Sequence, residues 1–300
     1  MAEITRDPFR VVGPDYRPAP TRALPRGHGR PQRPPVLSMA VLGLIVLGCL
    51  LAPVLANHDP AGFYLQNLNQ APGGEFYFGT DSLGRDIYSM IWYGGRASLA
   101  VGLMSMALIT VLGVTYGCIS GMAHQRLDAV MMRAMEMAHS VPTLLIVLLL
   151  GSLIPKHDVF TLSLLIGGTG WFGLARIVRS EVRQIRSSEY VLAARCMGVG
   201  FWRTMWVHLI PNFLSSILFV VISSISASMS MESTLSFLGL GLPVEVISWG
   251  SMLSLANRAL LLNTWWVIII PGLFLLVTLG CVTSIGNYFR REVNRACSNL

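Results

Sequence analysis

Residues 189–212 read EYVLAARCMGVGFWRTMWVHLIPN, a polar stretch set between two long apolar runs of a 300-residue chain. Ser188 precedes this stretch as a suitable helix N-cap, and Glu189 stands in the first turn, where the helix dipole favours a negative charge. Gly198 stands where many helices end in a left-handed residue. The pattern therefore predicts a short helix over residues 189–197.

A second short helix is predicted directly after the first. It should span Phe201–Val207, follow Gly200 and be ended by Pro211. Three aromatic side chains and an arginine share this helix: Phe201, Trp202, Trp206 and Arg203. Large apolar side chains at a water-facing position indicate either a partner protein or the lipid headgroup region. The residues of this helix leave both interpretations open.

The composition assigns the chain to the integral membrane proteins. Its mean hydropathy is +0.59, 53% of its residues are hydrophobic and only 12% are charged. A soluble domain of this composition could not cover its surface with polar groups. The net charge of +7 would suit a protein that binds nucleic acid. In a membrane protein it is better explained by the preference of basic residues for the cytoplasmic side.

Six apolar runs have about the 20 residues that a helix needs to cross the hydrocarbon core of a bilayer. The predicted spans are Val36–Ala56, Ala97–Ser120, Met137–Ile154, Leu162–Val178, Phe213–Met231 and Trp265–Ile285. The first, over residues 36–56, is too long and too far from the N-terminus for a cleaved signal peptide, so it is interpreted as an anchor. Residues 1–35 combine seven arginines with many prolines and predict a disordered basic tail in the cytoplasm.

The basic residues decide the predicted orientation. Of the 22 lysines and arginines, 18 fall in the two tails and in loops 121–136 and 176–212. The four on the alternate side are Arg85, Arg96, Lys156 and Arg258. This split predicts cytoplasmic N- and C-termini for a multi-pass protein of the bacterial inner membrane. Residues 189–212 then lie in the longest internal cytoplasmic loop, while loops 57–96 and 232–264 face outward.

No catalytic or metal-binding pattern is found in the sequence. A phosphate-binding loop needs a lysine after its glycines, and the only lysine, Lys156, follows a proline in a predicted outward loop. Paired carboxylates, a Ser-His-Asp order and an HExxH helix are also missing. The histidines lack the i, i+4 spacing of a metal site, and the five cysteines lack CxxC spacing and are interpreted as unpaired apolar residues. No cofactor is expected on this chain.

Residues 189–212 resemble the permease signature of ATP-binding-cassette importers, which reads Glu-Ala-Ala, three residues, Gly, nine residues and Ile-x-Leu-Pro. The matching positions here are Leu192, Ala193, Ala194, Gly198 and the run His208–Pro211. Leu192 departs from the glutamate of the signature, which removes a charge but leaves the helix pattern intact. The ending His-x-x-Pro-Asn, completed by Asn212, is similar to the peptide and nickel branch of the superfamily.

Other segments resemble the same branch and extend the resemblance over about residues 36–295. They are residues 78–86 (FGTDSLGRD), residues 232–241 (ESTLSFLGLG), residues 249–253 (WGSML), the group Asp128, Arg133, Glu136 and Pro142, and the pair Gly286 and Arg290. Glu136 and Asn287 stand where the branch usually has aspartate.

The resemblance implies an all-helical, six-span permease of the type I importer class. In such importers the loop here numbered 179–212 contains a coupling helix that seats in a groove on an ATPase subunit, and ATP and Mg are bound by that subunit. The implied partners are a second permease subunit, two ATP-binding subunits, an extracytoplasmic solute-binding protein and membrane lipid, with no nucleic acid. The residues expected to couple to the ATPase are a tip, Val199, Gly200, Phe201, Trp202 and Arg203, and a close helix contact, Ala193, Ala194 and Gly198.

Two features that are predicted to lie on the outer side of the membrane each allow two interpretations. Glu232 lies at the outer end of the fifth predicted span, and Ser236 follows it by one helical turn. Both residues are candidates for the translocation path or its gate. In the alternative interpretation, the Glu232 side chain extends to the outer membrane interface. In the segment 78–86, Asp81 is expected to cap a helix on which Arg85 is its i, i+4 partner. The motif is expected to form a structural network at the outer surface or to contact the substrate-delivery protein; its members are Gly79, Asp81, Gly84, Arg85 and Asp86.

The sequence therefore predicts a core permease domain over residues 97–285, preceded by the extracytoplasmic loop 57–96 and followed by a cytoplasmic tail, 286–300. The predicted cargo is di- or oligopeptides, and the alternative cargo is nickel or a metal–chelator complex. A secondary transporter is disfavoured because internal repeats are lacking and intramembrane acids are scarce. A membrane scaffold without transport would leave the loop aromatics and the outer motifs unexplained.

Overall fold

A computed structural model of the chain describes residues 34–154, 158–189, 191, 196–243 and 245–298. Across these ranges every regular element is a helix, and the pairing of β type is one isolated antiparallel bridge between Thr80 and Asp86. The predicted all-helical fold is therefore confirmed.

The first half of the chain forms seven helices. They are α1 (Val36–Leu50), the single turn α2 (Ala52–Leu55), α3 (Ile87–Met122), α4 (Gln125–His139), α5 (Thr143–Ser152), α6 (Val159–Gly170) and α7 (Phe172–Ile185). The second half begins with α8 (Phe201–Thr204), which continues through a π-helix (Met205–Leu209) into α9 (Ile210–Phe237). It ends with α10 (Trp249–Leu253), α11 (Ala256–Leu261) and α12 (Trp266–Ser298).

Three helices, α3, α9 and α12, are each long and apolar enough to cross a membrane. Two pairs, α4 with α5 and α6 with α7, meet the same criterion only together, because they are bent by 75° and 46°. The helix α1 is apolar but only 15 residues long. By length and composition the described residues thus contain three spans, or up to five if each bent pair is one span. The predicted count of six stays a prediction.

Two predicted spans, 137–154 and 162–178, were expected to be continuous helices, and this is wrong. The first is interrupted before Pro142, because proline disfavours a helical conformation in the residue that precedes it. The second is interrupted at Trp171, whose Nε1 donates to the Gly168 carbonyl oxygen at 3.0 Å. Since a carbonyl oxygen can accept two hydrogen bonds, this contact fixes the indole at the bend without by itself accounting for the interruption.

The core is organised around α3 and α9, which both contribute to each of three buried apolar clusters. Helix α3 packs tightly against α7 through three glycines spaced one turn apart. A Cβ at Gly113, Gly117 or Gly121 would lie within 2.9 Å of an atom of α7. Small residues at this spacing let two membrane helices approach closely. The helix α7, which leads into residues 189–212, is therefore held against the centre of the fold.

The predicted second short helix, Phe201–Val207, does not end at Pro211. The chain stays helical from Phe201 to Phe237, and Pro211 lies in the first turn of α9. Proline lacks the N–H that an interior helical position would donate, and here it lies just after the π-helix, where the regular α-helical hydrogen-bond register changes. A π-helix stands over Met205–Leu209, where the sequence predicts the end of the helix, and its wider turns change the directions of these side chains.

Candidate functional site

The segment Cys196–Leu209 presents one of its faces to the surroundings. The exposed side chains on this face are Cys196, Met197, Trp202, Arg203, Trp206 and Val207. Met197 is 77% exposed and Trp206 is 64% exposed, which is high for large apolar side chains. We call this set of six residues the outward face of the loop.

The opposite side of the same segment is part of the protein core. Met205 and Leu209 are buried, together with Val191, in the apolar cluster that joins α3, α7 and α9. Thr204 is also buried, and its hydroxyl donates to the Gly200 carbonyl oxygen at 3.1 Å. The burial of one face fixes the segment, so that the apolar side chains of the outward face are held in place where a partner could reach them.

Gly198 has the left-handed backbone that the sequence predicts, with φ +78°. The second reason given for a glycine there, a close helix contact, is not supported, since no described atom lies within 4 Å of a Cβ built at Gly198 or at Gly200. Of the other predicted coupling residues, Val199 is half-buried and Arg203 is exposed. Ala193 and Ala194 lie outside the described residues.

A second group of polar side chains surrounds Glu232, near the C-terminal end of α9. Glu232 is fully buried, so the alternative that it snorkels to the interface is wrong. Its Oε1 accepts hydrogen bonds from the hydroxyls of Ser248 at 2.7 Å and Ser236 at 3.0 Å. Its Oε2 lies 3.4 Å from the hydroxyls of Ser98 and Ser233. The carboxylate thus joins α3, α9 and the N-cap of α10.

Hydrogen bonds hold the helix α10 against the polar side chains around Glu232. Ser248 and Ser251 form a reciprocal capping box at its start. The Trp249 backbone N–H donates to the Ser98 hydroxyl at 3.1 Å, and its Nε1 donates to the Ile91 carbonyl oxygen at 2.9 Å. The segments 232–241 and 249–253, identified separately in the sequence, therefore meet at Glu232.

Sequence reasoning did not find Ser98 and Ser248. Ser248 had a local signal, since a serine at the N-cap with a second serine three positions on is typical of a helix start. Ser98 is one of several small polar residues in a long apolar run. Its contact with Glu232 bridges 134 positions of sequence, so no local pattern indicates it.

The outer motif 78–86 forms a tight turn before α3. The backbone φ is +76° at Gly79 and +78° at Gly84, where a Cβ would meet the Gln70 and Tyr64 carbonyl oxygens at 2.5 and 2.4 Å. Only glycine fits at both positions. The motif is also tied to the last span, because Trp266 Nε1 donates to the Thr80 carbonyl oxygen at 3.1 Å.

The predicted pairing of Asp81 with Arg85 is confirmed, with 2.8 Å between Oδ2 and Nε. The predicted helix between them is wrong, because Asp81 caps a turn by accepting from the backbone N–H of Leu83 and Arg85. Helix α3 begins only at Ile87, and its N-cap is Asp86, whose side chain accepts from the Ser89 N–H. The buried bonds of the motif form a structural network; its predicted alternative role, contact with the substrate-delivery protein, stays a prediction.

Metal ligands do not cluster in the described part of the chain, where no group of three histidine, cysteine, aspartate or glutamate side chains could hold an ion. Cys49, Cys118 and Cys281 are free and buried, as expected of small apolar residues. Cys196 is free but exposed, which departs from that expectation.

Comparisons with known proteins identify the family of the chain. Residues 113–295 match the family described as binding-protein-dependent transport system inner membrane component. Residues 32–72 match the N-terminal transmembrane domain of oligopeptide transport permease C.

Curated relatives cover most of the chain. The oligopeptide transport system permease protein OppC of Bacillus subtilis is 35% identical over 85% of this chain and 83% of its own length. The dipeptide transport system permease protein DppC of the same organism is 36% identical over 83% of this chain and 79% of its own length. The OppC protein of Haemophilus influenzae is 34% identical over 85% of this chain and 82% of its own length. The chain therefore belongs to the inner membrane components of binding-protein-dependent transport systems, the permease subunits of ABC importers whose ATPase activity resides on separate subunits.

Proposed function

We propose that this permease imports di- or oligopeptides that an extracytoplasmic binding protein delivers. The support comes from the relatives, which are named as oligopeptide and dipeptide permeases over more than four-fifths of this chain. The alternative cargo, nickel or a metal–chelator complex, has no such support. The chain pairs with a second permease and with two ATP-binding subunits, which hold the ATP and Mg.

The observation that carries the coupling role is the two-sided segment Cys196–Leu209. Its inner side is fixed in the core, while Met197, Trp206 and Val207 are more than half exposed. Exposed apolar side chains beside an arginine are typical of the centre of a protein interface. We assign the outward face to the groove of an ATPase subunit, with the termini and this loop in the cytoplasm and with six spans in the assembled complex.

The translocation path is assigned to the side of α9 near Glu232. An open groove of about 370 Å³ runs there between α9 and α12. Three hydroxyl-bearing side chains of α9 contribute to its lining, namely Ser230, Ser233 and Thr234. The rest of the lining is apolar, and the Thr234 hydroxyl donates to the Ser230 carbonyl oxygen at 2.8 Å. The assignment therefore rests on the position of the groove at Ser233, next to the buried Glu232.

The cargo is tested with the complete complex in proteoliposomes, supplied with its binding protein and ATP. Uptake of a labelled tripeptide is expected, and uptake of nickel with or without a chelator is not. In cells, loss of the gene should stop growth on short peptides as the source of a required amino acid, and nickel-dependent urease should stay active. The reverse pattern in either assay would replace the peptide assignment with the nickel one.

A further inference from the structure

The helix that leads into the coupling segment carries three arginines on one face. Arg179, Arg183 and Arg186 are spaced four and three residues apart on α7 and its C-cap, so their side chains point to the same side. That side faces the C-terminal end of α3 and the first half of α4. All three arginines have partners there.

Two of the arginines converge on Asp128 of α4, which is almost completely buried. The Arg179 guanidinium donates two hydrogen bonds to the Asp128 carboxylate, from Nε to Oδ1 and from Nη2 to Oδ2, the second at 2.6 Å. Arg183 Nη2 lies 2.8 Å from the same oxygen. The Ser120 hydroxyl of α3 donates to Oδ1 at 2.6 Å. One carboxylate therefore connects three helices.

The third arginine, Arg186, is hydrogen-bonded to α3. Arg186 Nη1 donates to the Gly121 carbonyl oxygen at 3.0 Å, at the end of α3 where carbonyl groups lack helical partners. The Tyr116 hydroxyl of α3 donates to the Met131 carbonyl oxygen of α4 at 2.7 Å. Together with the glycine contacts between α3 and α7, these bonds leave the three helices little freedom to move separately.

The helices α3, α4 and α7 are also connected to the segment Cys196–Leu209. The Ser188 hydroxyl donates to the Ile185 carbonyl oxygen at 2.6 Å, and the Val191 N–H donates to the Ser188 carbonyl oxygen at 3.1 Å. Val182 of α7 lies in the same buried cluster as Val191 and Met205. These contacts pack the segment Cys196–Leu209 against α7, so we expect a displacement of the outward face to move α7 as well.

We infer that Asp128 is a positioning residue that transmits the motion of the segment Cys196–Leu209 from α7 to α4. The inference rests on the proposed coupling role of Cys196–Leu209. Asp128 contacts neither nucleotide nor cargo; it keeps α3, α4 and α7 in one rigid body. A buried carboxylate held by two guanidinium groups suits this task, because its contacts have fixed directions and removing the charge leaves two cations without a partner.

The first experiment compares Asp128→Asn with the parent in the complete complex in proteoliposomes. The substitution keeps the size of the side chain, leaves the outward face intact and removes the charge. Peptide uptake per ATP hydrolysed is expected to fall about tenfold, as when coupling between two sites is lost, while ATP hydrolysis changes less than twofold. Arg126→Gln, an exposed position on the same helix, is the matched control and should behave like the parent. An unchanged ratio of uptake to hydrolysis, or an equal fall of both, overturns the inference.

The second experiment needs no substitution at Asp128. Spin labels are placed at Arg126 on α4 and at Ser187 after α7, both exposed, in a background without native cysteines. The distance between the labels should be the same in the nucleotide-free and ATP-trapped complexes, because the helices move together. A distance that changes with nucleotide contradicts the inference, even if Asp128→Asn fails to assemble. If the parent takes up no peptide, the proposed function fails, and the distance measurement, repeated in Asp128→Asn, still decides whether Asp128 is needed for α4 and α7 to move as one body.

Discussion

At the residue scale, two glycines serve opposite purposes. Gly198 has a left-handed backbone and open space around it, so it is required for conformation alone. Gly250 is required for space, because a Cβ there would lie 2.7 Å from Oε1 of Glu232 and 2.8 Å from the Cα of Ser233. Each glycine therefore has its own test.

Replacing Gly198 should weaken coupling through the backbone. Gly198→Val forces a β-branched residue into the left-handed region, which costs about 1–2 kcal/mol, and the strain should shift the outward face. We expect normal amounts of the protein in the membrane but a severalfold loss of ATP hydrolysis stimulated by the loaded binding protein. Gly173→Val on α7, away from the outward face, adds the same side chain into open space without a positive φ and should be stimulated like the parent. Equal stimulation in the two variants would show that the turn at Gly198 is not needed.

Replacing Gly250 should loosen the group around Glu232. Gly250→Ala places a methyl group against the carboxylate and should destabilise the protein by about 1–3 kcal/mol. Gly280→Ala on α12 meets nothing within 4 Å and should be neutral or stabilising by about 0.5–1 kcal/mol. The midpoints of thermal unfolding of the purified complex measure both effects. Midpoints that fall equally in the two variants would contradict the close packing at Gly250.

At the element scale, the continuous helix from α8 to α9 separates two functions by face. The π-helix at Met205–Leu209 places Met205 and Leu209 in the core and leaves Trp206 and Val207 exposed. A fixed inner side and an apolar outer side are the properties that a docking element needs.

Truncation of the outer side should weaken docking without unfolding the protein. Trp206→Ala is expected to weaken binding to the ATPase subunit by about 1–3 kcal/mol, or roughly fivefold to 150-fold. Binding of the purified ATPase subunit to the permease pair in nanodiscs measures this loss. Leu261→Ala changes an apolar residue that is 88% exposed on α11, and it should bind like the parent. The docking assignment is wrong if Trp206→Ala also binds like the parent.

At the scale of the whole molecule, the distribution of basic residues predicts how the chain is oriented in the membrane. The arginines of α7 use their charges within the protein as well as for orientation, since Arg179 and Arg183 pair with Asp128. The outer turn 78–86 is built from buried bonds that close onto α12. The two ends of the spans therefore differ in charge and in local structure.

The orientation predicts which side of the membrane reaches each cysteine. When the permease is produced without its ATPase subunits and with Cys297→Ser, exposed Cys196 should react with a membrane-impermeant thiol reagent in inside-out vesicles and not in intact cells. An added Gly73→Cys, exposed in the outer loop, should react in intact cells. The variant Cys196→Ser serves as the blank. Labelling of Cys196 from outside would reverse the topology and exclude the loop from contact with a cytoplasmic ATPase.

The sequence by itself determined the features that depend on neighbouring residues. Apolar runs identify a helical membrane protein because burial in lipid depends on composition and length. The left-handed turn at Gly198 and the pair Asp81 and Arg85 follow from local backbone and spacing rules. Only the tertiary structure decided which distant residues meet. Ser98 is 134 positions from Glu232, and Asp128 is 51 positions from Arg179. These contacts are fixed by how α3 packs against α9 and how α4 packs against α7, which no local pattern encodes.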